Sequence, residues 1–194
     1  MIAGGIGAGK TAVTERLREL GFSVVDADVV AHRVTAPGQP ALEALRDAFG
    51  DAILREDGSF DRVFVADVVF HDPAALRRLN SITHGYIGLE IVRELESVQG
   101  EAVFIALPLF QPEHRQVFSV DLAWAVQVRP ETALDRLVRL RGFSEEDARA
   151  RVANQMTNDV RTEIVDHVIW NEGSLEDLYR ELDEALHESG LERG

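Results

Sequence analysis

The stretch Gly4-Gly5-Ile6-Gly7-Ala8-Gly9-Lys10-Thr11 sets an ammonium and a hydroxyl directly behind a run of small residues, in the spacing G-x-x-x-x-G-K-[ST]. Glycines let a backbone turn so tightly that successive N–H groups point inward and form an anion-binding nest. An ammonium is a compact point charge that fits among phosphate oxygens, whereas a guanidinium is broad, planar and suited to forked contacts. In this spacing Lys10 reaches the β- and γ-phosphates of a nucleotide and the Thr11 hydroxyl holds Mg²⁺. Lys10 is the only lysine of the chain, and the other 19 basic residues are arginine. A GC-rich coding bias explains that solitude at least as well as selection at one site does.

A second constellation is Asp26-Ala27-Asp28, at the end of the apolar run Phe22-Ser23-Val24-Val25. A carboxylate at the carboxyl end of a strand beside a phosphate loop can take a proton from an attacking hydroxyl, or orient Mg²⁺. The plainer role is to N-cap the helix expected at Val29–Val34, and Asp26 is the residue better placed for it. A third is Arg136, Arg139 and Arg141. Arginines on a mobile segment can close over a transferring phosphate and neutralise its oxygens. Any single one of them equally suits a solvated helix face, paired with Glu131, Asp135 or Glu145. Arg161 is a candidate of the same kind. The six histidines show no spacing that would make a metal site. Trp124 and Trp170, both in apolar runs, are expected in the core.

These groups need a frame. Ala12 to Leu20 reads as an amphipathic helix with Val13, Leu17 and Leu20 on one face, ended by Gly21. Apolar runs at Phe22–Asp26, Glu101–Leu107, Asp121–Val128 and His167–Trp170 suit buried strands of a parallel sheet. Only Met1-Ile2-Ala3 precede Gly4, which predicts an unusually short first strand or a native start further upstream. Five strands result, in a doubly wound α/β core with its ligand at the strands' carboxyl ends. Helical texture at Ala41–Phe49, Val63–Phe70, Pro73–Asn80 and Ile82–Val98, with turns at Pro37-Gly38 and Asp57-Gly58, predicts a helical insertion between the second and third strands. Glu131–Arg141 and Ser144–Gln155 read as two helices around Gly142. The last helix, Ser174 to His187, has Ser174 as its N-cap, and Gly190–Gly194 reads as a frayed end.

Composition excludes several classes. With 45% hydrophobic and 28% charged residues this is an ordinary globular composition. A net charge of −14 argues against broad binding to nucleic-acid phosphates. It also means that positive charge must be concentrated locally wherever a polyphosphate binds. No long apolar run or leader pattern is present, so no membrane partner is expected. Without cysteine there is no disulfide framework or thiolate metal site, and a cytoplasmic location fits.

The loop, together with Val25-Asp26-Ala27-Asp28, Pro37-Gly38, Phe49-Gly50, Asp57-Gly58, Asp61-Arg62, Leu79-Asn80…His84, Pro108-Leu109, Gln155 and Asn171-Glu172-Gly173, resembles dephospho-coenzyme A kinase through nearly the whole chain. The resemblance implies a P-loop NTPase fold: a five-stranded parallel sheet with helices on both faces, a helical acceptor-binding insertion and a lid. Residues 1–30, 101–130 and 156–194 would form the nucleotide-binding core, 31–100 the insertion and 131–155 the lid. It implies transfer of the ATP γ-phosphate to the ribose 3′-hydroxyl of dephospho-coenzyme A, with Mg²⁺ accompanying ATP. By position, Gly7, Ala8, Gly9, Lys10, Thr11 and Ala12 would hold ATP, with Thr11 and Asp28 toward the metal. Asp28 would be the catalytic acid/base, Arg136 and Arg141 lid arginines that act with Lys10, and Asn171 part of the adenine pocket. Arg62, Asn80 and His84 would lie, with Asp28, on the acceptor side. A monomer or weak homo-oligomer is expected.

The chain departs from the family's usual pattern at three places. His84-Gly85 stands where the family has His-Pro. Pro108-Leu109-Phe110-Gln111-Pro112 stands where it has Pro-Leu-Leu-Phe-Glu or a close variant, the acid being lost or displaced to Glu113. Asn158 stands at a basic position before Arg161. These changes fall on the acceptor and metal side. A relative that phosphorylates another nucleoside-like hydroxyl, or a nucleotide-binding paralogue of weak activity, is therefore compatible with the same residues. A nucleotide switch or ATPase is less so, because Ala106-Leu107-Pro108 lacks the strand-terminal Asp of such proteins.

Overall fold

The computed structural model describes residues 1–100 and 102–191. Glu101, the expected first residue of the third strand, and most of the expected frayed end lie outside them. Five strands, β1 (Ile2–Gly4), β2 (Ser23–Asp26), β3 (Val103–Leu107), β4 (Trp124–Gln127) and β5 (His167–Trp170), lie in the order β2-β3-β1-β4-β5. The β1–β3, β1–β4 and β4–β5 pairs are parallel. The chain thus starts in the middle of the sheet and winds to either side, which places a switch point at the carboxyl end of β1. Three residues suffice for this central strand because Ile2 and Ala3 are paired on both edges, with Ala106–Leu107 and with Trp124–Ala125. β1 is thus the unusually short first strand that the sequence offers as one of its two readings.

The chain forms two compact units, residues 1–24 with 99–194, and residues 25–98. In the first, residues two apart on a strand share a face. Ile2, Trp124, Val126 and Ile169 join one apolar cluster with Val13 and Leu17 of α1 (Lys10–Glu19) and Leu178, Leu182 and Ala185 of α10 (Leu175–Glu188). Phe104 meets Phe22 edge-on at 5.3 Å and Trp124 at 5.3 Å, pairs that contribute about 0.5–1.5 kcal/mol each beyond the area they bury. Gly21, at φ +85°, closes α1: its N–H reaches Arg18 and that of Phe22 reaches Leu17. Ser174 and Asp177 form a reciprocal capping box at the start of α10. Between β4 and β5 run α7 (Pro130–Arg141), α8 (Glu145–Ala153, capped by Ser144) and α9 (Asn158–Ile164, capped by Thr157). α9 extends the two helices expected there to three. α6 (His114–Val117) is one turn between β3 and β4. Trp124 is core as expected, but Trp170 is 42% exposed, because it falls at the end of edge strand β5 on the opposite face from Ile169.

The second unit is helical. It contains α2 (Ala27–Val34), α3 (Pro40–Phe49), a 3₁₀ turn at Asp51–Ile53, α4 (Arg62–His71) and α5 (Pro73–Ser97). Leu45, Ile53, Val65 and Val69 form its core, with Phe49, Leu79 and Ile82 packed around them. Asp61 caps α4 through the N–H groups of Val63 and Phe64, and Asp72 caps α5 through those of Ala74 and Ala75. The two helices expected at 73–80 and 82–98 are one helix of 25 residues. Ser81 does not cap a new helix: its hydroxyl donates back to the Arg78 carbonyl within the same one.

Candidate active site

The phosphate-type loop leaves β1 at Gly4 and enters α1 at Lys10. Gly7 (φ +76°) and Gly9 (φ +92°) adopt left-handed backbone that a side chain would strain. Ala8 N–H closes a turn onto the Gly5 carbonyl at 3.1 Å. Gly9 stands at the N-cap without a side chain, so the first turn of α1 opens toward the loop with its amide dipoles unmasked by a capping side chain. That is the electrostatic arrangement a phosphate uses. Lys10 opens the helix, half-buried, and Thr11 follows, exposed. A hydroxyl oxygen is a hard donor suited to Mg²⁺, and its place beside Lys10 fits a metal carried in with polyphosphate oxygens. Among the described residues no cluster of three His, Asp or Glu side chains could hold a metal by itself.

Three side chains from the far end of the unit grip this loop. Asn171, just past β5, donates from Nδ2 to the Ala8 carbonyl at 2.8 Å. Arg136 of α7 donates to the Gly7 carbonyl at 3.2 Å, to the Asn171 carbonyl at 2.8 Å and to Asn171 Oδ1 at 3.3 Å. Gln155, after α8, accepts from the Ile6 N–H at 2.9 Å. The parallel order β1-β4-β5 produces this meeting, since the carboxyl ends of all three strands open on one edge. Glu172 fixes the approach of α7. It accepts from the Arg129 N–H and, at 2.7 Å, from the Thr132 hydroxyl, and so caps the helix that carries Arg136. Burial alone would raise the Glu172 carboxyl. The two hydrogen bonds and the charges of Arg129 and Arg136 outweigh it and hold that carboxyl below its usual range.

Close by, Arg161 of α9 is 6% exposed. Its guanidinium donates to Asn158 Oδ1 and to the Met156 carbonyl, each at 3.0 Å. Burial draws its pKa below the ordinary value. A cavity of about 480 Å³ runs between the loop and these segments, walled by Gly5, Ile6, Ala133, Gln155, Arg161 and Trp170 among others.

The expected site residues thus fall into two groups. Gly7, Ala8, Gly9, Lys10, Thr11, Ala12, Arg136, Arg141 and Asn171 belong to the first unit. There the structure brings Arg136 and Asn171 onto Gly7 and Ala8, and packs Ala12 against the core. Arg141 is not brought to the loop. Five residues beyond Arg136, it points about 140° away around the helix and lies exposed in the last turn of α7. Arg139 is likewise exposed and pairs with Asp135 at 3.6 Å. Asp28, Arg62, Asn80 and His84 belong to the second unit. Asp26 accepts from the Asp28 N–H at 2.9 Å, which makes Asp26 the cap of α2 and leaves the Asp28 carboxylate on the exposed first turn. Arg62 donates to the Ala31 carbonyl at 3.0 Å and to the Thr35 hydroxyl at 2.6 Å. Burial lowers its pKa and the charge of Asp28 opposes that fall, so the two side chains share an electrostatic environment. Asn80 and His84, four apart on α5, share one face, half-buried and exposed respectively. Glu172 carries no role in the sequence reading beyond its place in Asn171-Glu172-Gly173, because nothing local shows that its partner is the start of α7.

The family model of dephospho-CoA kinase (CoaE) matches residues 1–177. A dephospho-CoA kinase of Streptomyces avermitilis is 46% identical over 180 residues, 92% of this chain and 87% of that protein. Among solved structures, TT1252 from Thermus thermophilus superposes with a TM-score of 0.80 at 30% identity, covering 96% of this chain and 95% of that one. Dephospho-CoA kinase from Campylobacter jejuni shares the fold, with a TM-score of 0.70 at 24% identity and coverage of 97% and 94%. With the family model matched over residues 1–177 and a relative 46% identical over 92% of the chain, this chain belongs to the dephospho-CoA kinase family.

Proposed function

We infer that the protein transfers the γ-phosphate of ATP to the ribose 3′-hydroxyl of dephospho-coenzyme A, giving coenzyme A and ADP. The observation that carries this reading is that the family match extends from the phosphate loop through the whole helical unit to α10, rather than resting on the loop alone. The loop amides, the Lys10 ammonium and the first turn of α1 bind and orient the polyphosphate. Arg136 is already at the loop, and Asn171 beside it supports a nucleotide-pocket role. Asp28, exposed at the start of α2, is assigned as the base that takes the proton of the acceptor hydroxyl. Arg62, Asn80 and His84 are assigned to the acceptor, residues 31–100 to its binding and residues 131–155 to a lid. Mg²⁺ would accompany ATP, with Thr11 and Asp28 as the residues assigned to it, and would supply charge neutralisation at the phosphates. The setting is cytoplasmic on this reading, and among the described residues no helix is long and apolar enough to cross a membrane.

Phosphoryl transfer asks little covalent chemistry of the protein, so positioning and electrostatics supply most of the rate. ADP release measured with and without dephospho-coenzyme A tests the assignment. Acceptor-dependent release is expected, and acceptor-independent release would point to an ATPase instead. Asp28→Asn should lower turnover by about 10² or more while ATP affinity stays within about twofold. Unchanged turnover would remove Asp28 from the mechanism.

A further inference from the structure

The least expected feature of the first unit is a buried guanidinium whose partners are all neutral. Arginine is rarely this enclosed without an acid to balance it. Among the described residues no carboxylate pairs with Arg161; it bonds Asn158 Oδ1 and the Met156 carbonyl. Asp159 lines the same cavity, but it forms no ion pair with Arg161. One side of the guanidinium faces the loop: Nη2 lies 3.4 Å from the point where a Cβ on Gly5 would sit.

Gly5 itself sharpens this. Unlike Gly7 and Gly9, it has no left-handed backbone, so its turn does not require glycine. What occupies the space beside it is Gln155: a Cβ on Gly5 would lie 2.5 Å from Gln155 Oε1, so that side chain would have to give way, and 3.4 Å from Arg161 Nη2. Gln155 in turn spends that oxygen on the Ile6 N–H of the loop. An amide oxygen from the protein therefore occupies a loop donor, directly beside an uncompensated buried cation, on the wall of the cavity. Oxygen on a loop N–H next to a guanidinium is the arrangement that a phosphate oxygen would complete, with a formal charge that the amide lacks.

We propose that Arg161 is a catalytic residue that binds the terminal phosphate of the nucleoside triphosphate, in a subsite walled by Gly5, Ile6 and Gln155, and that the Gln155 carbonyl oxygen holds the Ile6 N–H until a phosphate oxygen replaces it. This rests on the reading of the loop as a nucleotide site and adds which residue distinguishes a triphosphate from a diphosphate. Arg136 grips the loop from the Gly7 side; Arg161 supplies charge from the Gly5 side.

The test is calorimetric titration of the full chain with ADP and with the non-hydrolysable β,γ-imido analogue of ATP, each with Mg²⁺. Arg161→Met keeps the buried volume and removes the charge. It should weaken the triphosphate analogue by about tenfold or more while ADP changes by less than about threefold. Arg161→Lys should recover part of the triphosphate preference, and it stands in for the methionine variant should that one not fold. Gln155→Ala, which removes the competing oxygen, should strengthen the triphosphate relative to the diphosphate. Equal losses for both nucleotides in the Arg161 variants, or no loss for either, would overturn the proposal and leave Arg161 a structural residue. Wild-type protein that binds neither nucleotide would overturn the reading of the loop together with the subsite. Wild-type protein that binds both, yet transfers nothing to dephospho-coenzyme A, would overturn the acceptor assignment while the Arg161 subsite stands on its own binding data.

Discussion

Replacing Gly9 by alanine tests the loop's architecture at its tightest point. Two costs are readable from the structure. The first is conformational: at φ +92° an alanine pays roughly 1–2 kcal/mol that glycine does not. The second is steric. The new Cβ would stand 2.2 Å from Asn171 Nδ2, which is hydrogen-bonded to the Ala8 carbonyl on a side chain only 7% exposed. That amide must swing away, and losing a buried bond of this kind costs about 1–3 kcal/mol. Together they give about 3 kcal/mol, a large fraction of the roughly 5–15 kcal/mol that holds a domain folded. For a chain of this size the melting temperature should fall by about 6–12 °C.

The two costs separate in a double-mutant cycle. Asn171→Ala alone loses the bond to Ala8 and the Oδ1 acceptor of Arg136. Once it is in place, Gly9→Ala no longer meets an amide, and only the backbone cost remains. The double variant should therefore be about 1–3 kcal/mol more stable than the sum of the singles predicts. Circular-dichroism melts and urea titrations of the four proteins measure this directly. Additivity within about 0.5 kcal/mol would show that Asn171 and Gly9 are not coupled through this contact, and the account of why glycine stands at position 9 would be wrong.

Other expectations follow from the same network. Lys10→Ala should reduce kcat/KM for ATP by about 10² or more, with the melting temperature little changed, as checked by steady-state kinetics beside a melt; wild-type ATP kinetics would refute the loop assignment. Glu172 has a depressed carboxyl pKa, so its contribution to stability is present above the ordinary glutamate range, about pH 5, and fades as pH falls through its lowered value. Glu172→Gln should accordingly melt lower than wild type at pH 7, and the gap should narrow as pH falls; a gap that widened toward acid would contradict this sign. Gln127, fully buried on β4, leaves Oε1 without a hydrogen-bond partner among the described residues, and its Nε2 donates to the Thr162 hydroxyl at 3.2 Å and to the Asn158 carbonyl at 3.4 Å. Gln127→Met should therefore cost less than about 1 kcal/mol, and a larger fall in the melting temperature would reveal a partner for that oxygen.

How far the sequence spoke depended on how local each signal was. The loop, α1 with its Gly21 ending and the capped α10 are written in contiguous residues, and each formed as read. β1 is too short to identify as a central strand from its own length; its place is decided by β3 and β4, more than a hundred residues away. α9 escaped because seven residues give no apolar period, although Thr157 supplies its cap. The reading of Trp170 as core assumed that an apolar run is buried on both faces, which fails at edge strand β5. In the site, Lys10 and Thr11 were legible from spacing alone. The grip of Arg136 on Gly7 spans 129 positions and the Gln155 contact to Ile6 spans 149, so neither exists until the strand order is known.

Charge gives the last link between composition and function. An acidic chain with 19 arginines offers no reason to single one out. The structure does so by pairing. Most exposed arginines that form ion pairs do so with a nearby acid, as Arg149 does with Glu145 and Arg180 with Asp177, at little energetic consequence. Among the described residues only five arginines are not exposed: Arg16, Arg62, Arg115, Arg136 and Arg161. Two of these have a carboxylate, Arg16 with Glu19 at 3.3 Å and Arg115 with Asp166 at 2.7 Å. Among the described residues the hydrogen bonds of the other three go to carbonyl, amide or hydroxyl oxygens, and the charge of Asp28 also acts on Arg62. Arg136 acts on the Glu172 carboxylate and Arg62 on that of Asp28, whereas Arg161, among the described residues, has no acid in contact and keeps its charge in desolvated surroundings, where it interacts most strongly with an incoming anion. An acidic protein that handles polyphosphate can hold positive potential at its site by that route, without a positive net charge.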